Sequence, residues 1–373
     1  MPSIRTPSDY INAVRTASQG DVRRIPRSIQ SVLIAKFGYG IGPRLHSLFS
    51  LCDLPRETWG DFLVDEKLRH ILRSINPPNA RRIAEDKLAF YYHCIKHSLQ
   101  TIPVLSAVNV DSTLLHKAKE ACITPSSETE FIAWLTEAPD DLFFKPIDGT
   151  WGLGAFVAKR CGETWHFSDE ASSASDIYRY LSSNLDSKRG WIVQPKIQPH
   201  SEIAKITSKQ GLATIRMNTC LVAGETQVAF AVLRIPVGRN ITDNFGHGAS
   251  GNLVAPIDLK TGRLGKCRGS KSKEWPFIVD VHSHPDTGQK FEDFQIPRWD
   301  DVLDLIDRGQ KSLPNLKTLG WDIAVTGAGP IIVETNTTYD VDLIQVAHQQ
   351  GVEPQLRRIF SRINQGVTLA HHE

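Results

Sequence analysis

The spacing of apolar residues predicts a helical first part of the chain and a strand-rich second part. Apolar positions recur three or four residues apart in several segments, which is typical of helices with one buried face. Residues 1–84 are predicted to be mainly helical, and a helix over 61–75 ends at the Asn-Pro-Pro-Asn run of 76–79. Further helices are predicted over 81–99, 126–138, 176–185 and 298–310.

A glycine-rich segment joins two apolar stretches in the middle of the chain. Residues 142–157 contain an apolar strand that ends at Lys145, a turn with glycines at 149, 152 and 154, and a second apolar strand. Glycine permits positive φ angles and lets backbone N–H groups approach a ligand closely, and a lysine adds a charge that suits phosphate. The segment predicts either a loop that covers phosphates or a plain hairpin turn, and the pattern alone leaves both open.

A short apolar strand over 191–194 ends at Pro195. Proline cannot donate a backbone hydrogen bond to a neighbouring strand, so it tends to mark a strand end or a sheet edge. The segment predicts a hinge between two lobes, where backbone N–H and C=O groups are available to the edge of a purine ring. An ordinary loop is the alternative.

Two arginines lie on the strands of a predicted hairpin. Residues 213–221 and 227–235 have strand character and flank an Ala-Gly-Glu-Thr turn. Arg216 belongs to the first strand, and Arg234 is the single charge in the second. Since burying an arginine without an anion is costly, we expect both side chains to line a cleft, with surface placement as the alternative. The polar, glycine-containing segment 243–252 follows and is typical of a functional loop.

The strongest chemical pattern is a pair of acidic residues on a second predicted hairpin. Its first strand is Trp-Asp-Ile-Ala-Val (321–325), and after a turn its second strand is Ile-Ile-Val-Glu-Thr-Asn (331–336). Pairing of Val325 with Ile331 would place Asp322 opposite Glu334, with Asn336 on the same face. Carboxylates that face each other repel unless a cation lies between them, and oxygen ligands of this kind suit Mg²⁺. The pattern predicts a magnesium site, with a solvated sheet edge as the alternative, and a slip of one residue in register would remove it.

Composition and charge narrow the functional classes. The chain of 373 residues has 43 basic and 41 acidic side chains and a formal net charge of +2, so no overall field favours nucleic acid or an anionic membrane. It contains no apolar run of about 18 residues, and its first residues lack the apolar core of a secretory signal. Its 6 cysteines form no CxxC pair, so we expect reduced thiols and a cytoplasmic protein. His282 and His284 lack nearby cysteines, which argues against a zinc site.

Taken in order, these segments resemble the ATP-grasp superfamily of carboxylate–amine ligases over roughly residues 84–344. The matching features are a helix with a lysine in its first half, a Lys-Pro pair with a glycine loop, a hinge, two arginine strands, an Asn/Gly loop and an Asp…Glu-x-Asn set. Sugar-transfer-associated and glutamate-ligase-like ATP-grasp proteins are similar in several short motifs. These are Asp-Asn-Phe-Gly-His-Gly (243–248), His-Pro-Asp-Thr-Gly (284–288), Ile-Pro (296–297) and Gly-Trp-Asp-Ile-Ala (320–324).

The resemblance implies an α+β protein with the ATP-grasp fold, in which two α+β lobes hold the nucleotide between them after a mainly helical N-terminal region. It divides the chain into this helical region (1–84), a lobe with the glycine-rich phosphate loop and hinge (85–197), and a lobe with the metal site and acceptor loop (198–373). The implied cofactors are ATP and two Mg²⁺ ions, or Mn²⁺ in their place. Small-molecule carboxylate and amine substrates are the implied partners, and soluble enzymes of this size are often homodimers.

The resemblance also implies which residues contact the nucleotide. Two lysines would contact the phosphates, the glycine loop would cover them, the hinge would hold adenine, and His200 or Glu202 would reach the ribose. The nucleotide-binding candidates are Lys87, Lys145, Gly149, Thr150, Trp151, Gly152, Gly154, Gln194, Pro195, Lys196, Ile197 and His200.

The remaining roles that the resemblance implies concern the metal and the reaction. Asp322, Glu334 and Asn336 would bind the metal ions. Arg216, Arg234 and Asn244 would bind the acceptor carboxylate and the transferred phosphoryl group, which makes them the catalytic candidates.

The implied reaction is the ATP-dependent formation of an amide through an acyl phosphate, with release of ADP and phosphate. A phosphotransferase with the same fold and a nucleotide-binding protein without turnover are the alternatives. Two features depart from the family pattern. Gly320 stands where many members carry an arginine, so Arg216 or Arg234 must supply that charge, and the N-terminal region lacks the Rossmann-like strands that usually precede this fold.

Overall fold

The computed structural model describes residues 6–148, 153–167, 170–185 and 189–370. The loop residues Gly149, Thr150, Trp151 and Gly152, to which the sequence assigns phosphate contacts, lie outside these ranges. The first part of the chain is helical, as predicted, and no strand precedes Ser106 within the described residues. Its helices are α1 (Pro7–Ser18), α2 (Ile25–Tyr39), α3 (Pro43–Leu48), α4 (Asp65–Ile75), α5 (Pro78–Glu85) and α6 (Lys87–Lys96).

The prediction of one continuous helix over 81–99 is wrong, because the chain breaks between α5 and α6 at Asp86. The backbone of Asp86 is extended, and its carboxylate accepts from the N–H groups of Leu88 and Ala89 at 3.1 and 2.9 Å. An aspartate that caps a new helix in this way competes with continuation of the preceding one. Lys87 therefore stands at the first position of α6.

The first of two antiparallel sheets in the described part of the chain has the strand order β1-β6-β2-β3-β4-β5. Its strands are β1 (Ser106–Val108), β2 (Asp141–Pro146), β3 (Phe156–Cys161), β4 (Thr164–Phe167), β5 (Glu170–Ser172) and β6 (Trp191–Pro195). The helices along this segment are α7 (Leu115–Ala121), α8 (Glu128–Glu137) and α9 (Ala174–Ser183). Phe131 and Leu135 of α8 and Ile177 and Leu181 of α9 share a core with Trp191 of β6.

The second sheet has the order β11-β10-β9-β8-β7-β12-β13. Its strands are β7 (Thr214–Val222), β8 (Glu225–Ile235), β9 (Leu253–Pro256), β10 (Arg268–Ser270), β11 (Ile278–Asp280), β12 (Thr318–Thr326) and β13 (Gly329–Asn336). The accompanying helices are α10 (Ser201–Lys205), α11 (Trp299–Ser312), α12 (Asp342–His348) and α13 (Glu353–Ala370). The hairpins predicted around the arginines and around the acid pair are both present, as β7–β8 and β12–β13.

Two separate cores involve this second sheet. Leu305 of α11 packs in one of them with Trp321 of β12. In the other, Leu72 of α4 and Leu356 of α13 share a cluster with Val232 of β8. The N-terminal helices thus pack in one core with the C-terminal part of the chain. The division at residues 84 and 197 stays a proposal about function.

The predicted position of the acid pair is confirmed, because Asp322 of β12 lies opposite Glu334 of β13. The predicted pairing of Val325 with Ile331 is wrong, since Val325 pairs with Pro330 and the turn is shorter than expected. A bulge next to Asp322 places one extra residue on β13, and this shift restores the predicted partner.

None of the helices in the described ranges combines the length and the hydropathy that a bilayer-spanning segment needs.

Candidate active site

A cleft of about 1110 Å³ is lined by residues from both sheets. Lys145 and Gln194 reach it from β2 and β6 of the first sheet. Arg216, Arg234 and Glu334 reach it from β7, β8 and β13 of the second. The chain therefore brings side chains that are far apart in sequence, such as Lys145 and Glu334, to one site.

Asp322 is buried at the centre of this site, and two arginines bind its carboxylate. Nε and Nη2 of Arg216 donate to Oδ1 and Oδ2 at 2.6 and 3.1 Å, and Nη2 of Arg234 lies 2.9 Å from Oδ2. Strand register explains the first contact, because Asp322 of β12 is directly opposite Arg216 of β7. Burial opposes ionisation of Asp322, but the two guanidinium charges outweigh it and hold its pKa well below its usual value.

A second buried carboxylate, Asp243, completes the ion network. Nη2 of Arg234 lies 3.2 Å from Oδ2 of Asp243 and donates to Oγ1 of Thr214 at 2.6 Å, while that hydroxyl donates to Asp243. Burial raises the pKa of Asp243 above its usual value, although Arg234 opposes the shift. The expectation that the arginines line a cleft is correct, but the protein's own carboxylates supply the anions that make their burial tolerable.

Two lysines line the cleft within electrostatic reach of Glu334. Lys145, at the end of β2, is buried, and desolvation lowers its pKa to about 8. Nζ of Lys87 donates to the carbonyl of Ile147 at 3.4 Å, and burial lowers the pKa of this lysine as well. The negative charge of Glu334 counteracts both shifts, so this carboxylate lies within electrostatic reach of both ammonium groups. A bound anion such as the phosphate chain of a nucleotide could take the place of Glu334 as the charge that faces these two lysines.

The oxygen atoms around Asp322 and Glu334 fit a hard cation in their chemistry. The two residues lie directly opposite each other on paired strands, so their carboxylates would repel each other unless a cation lies between them. Oδ1 of Asp322 accepts one hydrogen bond, so it retains a lone pair. The buried Nδ2 of Asn336 has no hydrogen-bond partner in the structure, which leaves this amide unattached on the same strand as Glu334. Among the described residues, no three His, Cys, Asp or Glu side chains lie close enough together to hold a metal ion.

The predicted adenine hinge lines the cleft, whereas His200 does not. Gln194 is buried and donates from Nε2 to the carbonyl of Ile102 at 3.2 Å. Pro195, Lys196 and Ile197 follow it along the cleft wall. The ring of His200 instead caps α10, since Nδ1 accepts from the N–H of Glu202 at 3.2 Å.

The ribose contact expected for His200 or Glu202 stays a prediction, and the residues that line the cleft give it no support. The chain turns into α10 directly after the hinge, and this turn uses the ring of His200 as a helix cap. Glu202 pairs with Lys205 on the same short helix at 2.8 Å. Neither side chain lines the cleft, and neither belongs to the site that we propose below.

Hydrogen bonds of Asn252 hold the loop between β8 and β9 in place. This fully buried amide accepts from the N–H of Val237 at 3.1 Å and donates to the carbonyls of Thr242 and Asn244 at 3.0 and 2.9 Å. Asn244 lines the cleft, and its side chain accepts from the N–H of Gly246 at 3.3 Å, while its contact with the acceptor stays a prediction. The loop thus has a defined shape before any ligand binds.

Four residues of the cleft lining were not singled out by the sequence, and we call them the arm of the cleft: Arg69, His247, Asp340 and Asp342. Nε2 of His247 lies 3.0 Å from Oδ2 of Asp342, and Nη2 of Arg69 lies 3.5 Å from Oδ1 of Asp340. Burial raises the pKa of Asp340, and the neighbouring charge of Asp342 adds to the shift. Arg44 lines the same cleft from α3, so the N-terminal helices contribute to the site. An Asp-x-Asp pair soon after an acid-bearing strand was the available signal.

Gly320 has no room for the arginine that many ATP-grasp proteins carry at this point. A β-carbon at Gly320 would lie 2.8 Å from Cβ of Tyr339, which is closer than side chains tolerate. Tyr339 is itself buried and hydrogen-bonded to Thr318 at 2.7 Å, so it cannot move aside easily. The positive charge beside Asp322 comes from Arg216 and Arg234 instead.

Comparison with solved structures gives distant likenesses. The L-amino acid ligase from Bacillus licheniformis is 9% identical, with coverage of 75% of this chain and 48% of the ligase and a TM-score of 0.39. The D-alanine–D-alanine ligase from Bacillus anthracis is 11% identical, with coverage of 82% and 77% and a TM-score of 0.43. D-Cycloserine synthetase is 13% identical, with coverage of 96% and 94% and a TM-score of 0.41. The chain spans about half the length of the first solved structures that it matches.

The match to a protein family covers most of the chain. No curated protein matches the chain. Residues 67–361 match the family described as sugar-transfer associated ATP-grasp, and this range includes both sheets and every cleft residue of the ion network. The predicted α+β class is confirmed by the two sheets and their helices. The chain therefore belongs to the sugar-transfer associated ATP-grasp family and has the ATP-grasp fold.

Proposed function

We propose that the protein is an ATP-dependent carboxylate–amine ligase. In this reaction a carboxylate oxygen attacks the γ-phosphorus of ATP, ADP leaves, and an acyl phosphate forms. An amine then attacks the acyl carbon, phosphate leaves, and the nitrogen loses a proton to give the amide. The observation that carries the proposal is the convergence of two lysines and two arginines on one carboxylate pair inside a single cleft. Such a site can hold phosphates and an anionic acceptor together.

Each lobe has its own part in this proposal. Lys87 and Lys145 bind the phosphates of ATP, as point charges at the end of the first sheet. Gln194 to Ile197 hold adenine through backbone and side-chain contacts, and Gly154 belongs to the loop that covers the phosphates. Arg216 and Arg234, with Asn244, bind the acceptor carboxylate and the transferred phosphoryl group.

Asp322, Glu334 and Asn336 are the residues that we propose for two Mg²⁺ ions, or for Mn²⁺. Bound there, the ions would neutralise phosphate charge and orient the transferred group. The arginines keep Asp322 ionised at neutral pH, so this ligand needs no proton release before a cation binds.

The arm beyond the ion network suits the amine. Asp340 and Asp342 are carboxylates that can attract an ammonium group, and His247 sits against Asp342 at 3.0 Å. Nε2 of His247 contacts Asp342, and we propose His247 as the base that accepts the proton that the amine must lose. We accordingly place the amine in this arm and the acid beside the arginines.

The alternatives predict different products. A phosphotransferase would leave a stable phosphorylated acceptor, and a protein without turnover would bind nucleotide only. Gly320 was the sequence feature that favoured the second alternative. The two arginines beside Asp322 counter it, because they supply positive charge at that point without a side chain at position 320. A cytoplasmic homodimer is part of the same proposal, and its oligomeric state can be measured by light scattering.

Phosphate release from ATP and Mg²⁺ over a panel of carboxylic acids, with and without hydroxylamine, tests the proposed function. Hydroxylamine attacks an acyl phosphate and gives a hydroxamate. We expect a hydroxamate with one class of anionic acid and none without ATP. A phosphorylated product that hydroxylamine does not convert would identify a phosphotransferase, and nucleotide binding without turnover on the whole panel would leave only a binding protein.

Replacing Lys145 by methionine should weaken ATP binding by about tenfold to a hundredfold, the usual value of a charge-assisted hydrogen bond. Only the protonated amine attracts phosphate, so the affinity of the unchanged protein should also fall as pH rises through about 8, the pKa to which burial lowers this lysine. Calorimetry without divalent metal measures both effects. Lys159→Met changes an exposed lysine on the neighbouring strand and should leave the affinity unaltered. Equal affinity of the Lys145 variant would contradict the phosphate contact.

A further inference from the structure

Helix α2 exposes a row of large apolar side chains on the side that faces away from the core. Ile25, Ile29, Leu33 and Phe37 are four residues apart, so they follow one line along the helix. All four are exposed, Phe37 by 79% of its surface, and Val22 extends the row just before the helix with 74% exposed. We call these five side chains the α2 ridge. The opposite face of the helix is buried through Ser28, Ser31, Val32 and Ala35.

This concentration of exposed apolar surface is unusual within the described ranges. The other exposed large apolar side chains there are dispersed among different elements, for example Ile95 on α6, Ile123 after α7 and Leu153 in the glycine loop. Scattered exposed residues of this kind are normal on a soluble domain, but a continuous row marks an interaction surface. The ridge lies before residue 67, where the family match begins, and none of its residues lines the cleft.

The charge around the ridge has one sign. Residues 22–52 include five arginines and lysines and no aspartate or glutamate. Arg23, Arg24 and Arg27 are exposed beside the apolar row. Asp21, just before this stretch, pairs with Arg23 at 3.1 Å and with Arg24 at 3.9 Å, so it offsets part of the charge. The near-zero net charge of the whole chain conceals this local excess of cations.

We propose that the α2 ridge docks on an anionic lipid surface. An apolar helix face beside arginines is the composition of helices that lie in the interface of a bilayer, with apolar side chains among the acyl chains and cations near the headgroups. Four of the five ridge residues lie on one helix, and a soft lipid surface can take up such a row without a complementary groove. With a rise of about 1.5 Å per residue, the row from Ile25 to Phe37 is about 18 Å long.

Charge complementarity favours lipid over a second copy of the chain. A symmetric pair would place one ridge against another, and residues 22–52 contain no aspartate or glutamate that could pair with the partner's arginines. An anionic bilayer instead presents many negative headgroups to the same cations. Attachment of this kind is peripheral and leaves the cleft open to small substrates, and it is independent of the ligase reaction proposed above.

Sedimentation with vesicles tests the proposal on the full-length protein. We expect binding at low salt to phosphatidylcholine vesicles that contain about a third phosphatidylserine, weaker binding to pure phosphatidylcholine, and weaker binding at high salt because counterions screen the cations. Leu33→Ser combined with Phe37→Ser should lower the partition coefficient by at least about tenfold, given the apolar area that these side chains bury in lipid. Arg24→Gln combined with Arg27→Gln should remove most of the preference for the anionic vesicles.

A matched control uses exposed apolar residues elsewhere. Ile95→Ser combined with Ile123→Ser removes similar surface outside the ridge and should leave vesicle binding unaltered. Circular dichroism should show the same fold for all variants, since the changed side chains are exposed. Absence of vesicle binding by the unchanged protein, equal binding to neutral and anionic vesicles, or equal loss in the control variant would overturn the proposal. A dimer that disappears only in the ridge variant would overturn it in favour of a second copy.

Discussion

Replacing Glu334 by glutamine should lower ATP consumption by about a hundredfold to a thousandfold, the range found when one group that stabilises a charged transition state is removed. Glu334 lies opposite Asp322 on the paired strand, and its charge acts on both Lys87 and Lys145. Glutamine keeps the shape of the side chain but not its charge, so it should bind a divalent cation poorly. The measurement is ATP-dependent phosphate release with the acid that gives a hydroxamate.

A second readout separates the metal site from the reaction. Mg²⁺ alone should raise the thermal midpoint of the unchanged protein and should fail to raise that of the Glu334 variant, because only a site that binds the ion gains stability from it. Glu225→Gln removes an exposed carboxylate that pairs with Lys311 at 3.1 Å, and this control should retain both activity and the response to Mg²⁺. Unchanged turnover in the Glu334 variant would remove this residue from the proposed metal site.

Strand pairing was the part of the site that the sequence could predict. Alternation of side chains along a strand places residues two apart on one face, so Asp322 and Glu334 could be matched by position alone. The predicted pairing of Asp322 with Glu334 is correct although the turn was predicted too long, because a bulge on β13 compensates for the missing turn residues. Arg216 also followed from local pattern, since an arginine in an apolar strand implies a buried anion.

The partners of the arginines could not be predicted in the same way. Asp243 reaches Arg234 from a loop, and Asp322 reaches Arg216 across neighbouring strands that are about a hundred residues apart in the chain. No periodicity connects such positions, so the sequence could not show that Asp322 and Asp243 also pair with these arginines. The same limit applies to His247 and Asp342, whose contact depends on how a loop and α12 pack together.

Two local preferences conflict at the break between α5 and α6. The apolar spacing over 81–99 fits one long helix, but Asp86 satisfies two backbone N–H groups of a new helix and ends the old one. The break matters for the site, because it places Lys87 at a helix start beside Ile147. Helix propensity and apolar spacing carry no information about which of these two arrangements the rest of the protein stabilises.

Replacing Arg216 by methionine should lower the free energy of unfolding by about 3–5 kcal/mol, the usual cost of removing one partner from a buried ion pair. Asp322 would keep its burial but lose the two hydrogen bonds that Arg216 donates, at 2.6 and 3.1 Å. Arg234 alone would then hold this carboxylate on the cleft side. Equilibrium unfolding in urea measures the loss, and Arg308→Met provides a control, since Arg308 pairs with Asp304 at the exposed surface.

The dependence of this loss on pH and on the partner identifies its cause. Asp322 has a lowered pKa in the folded protein, so its ionised form contributes stability above the pKa of the unfolded chain, about 4, and that contribution disappears as pH falls further. The difference between the unchanged protein and the Arg216 variant should therefore shrink below about pH 4. Combining Arg216→Met with Asp322→Asn should cost less than the sum of the single changes, because neither charge is then left without the other. Additive losses that do not vary with pH would mean that packing of the arginine stem, and not its charge, stabilises this part of the cleft.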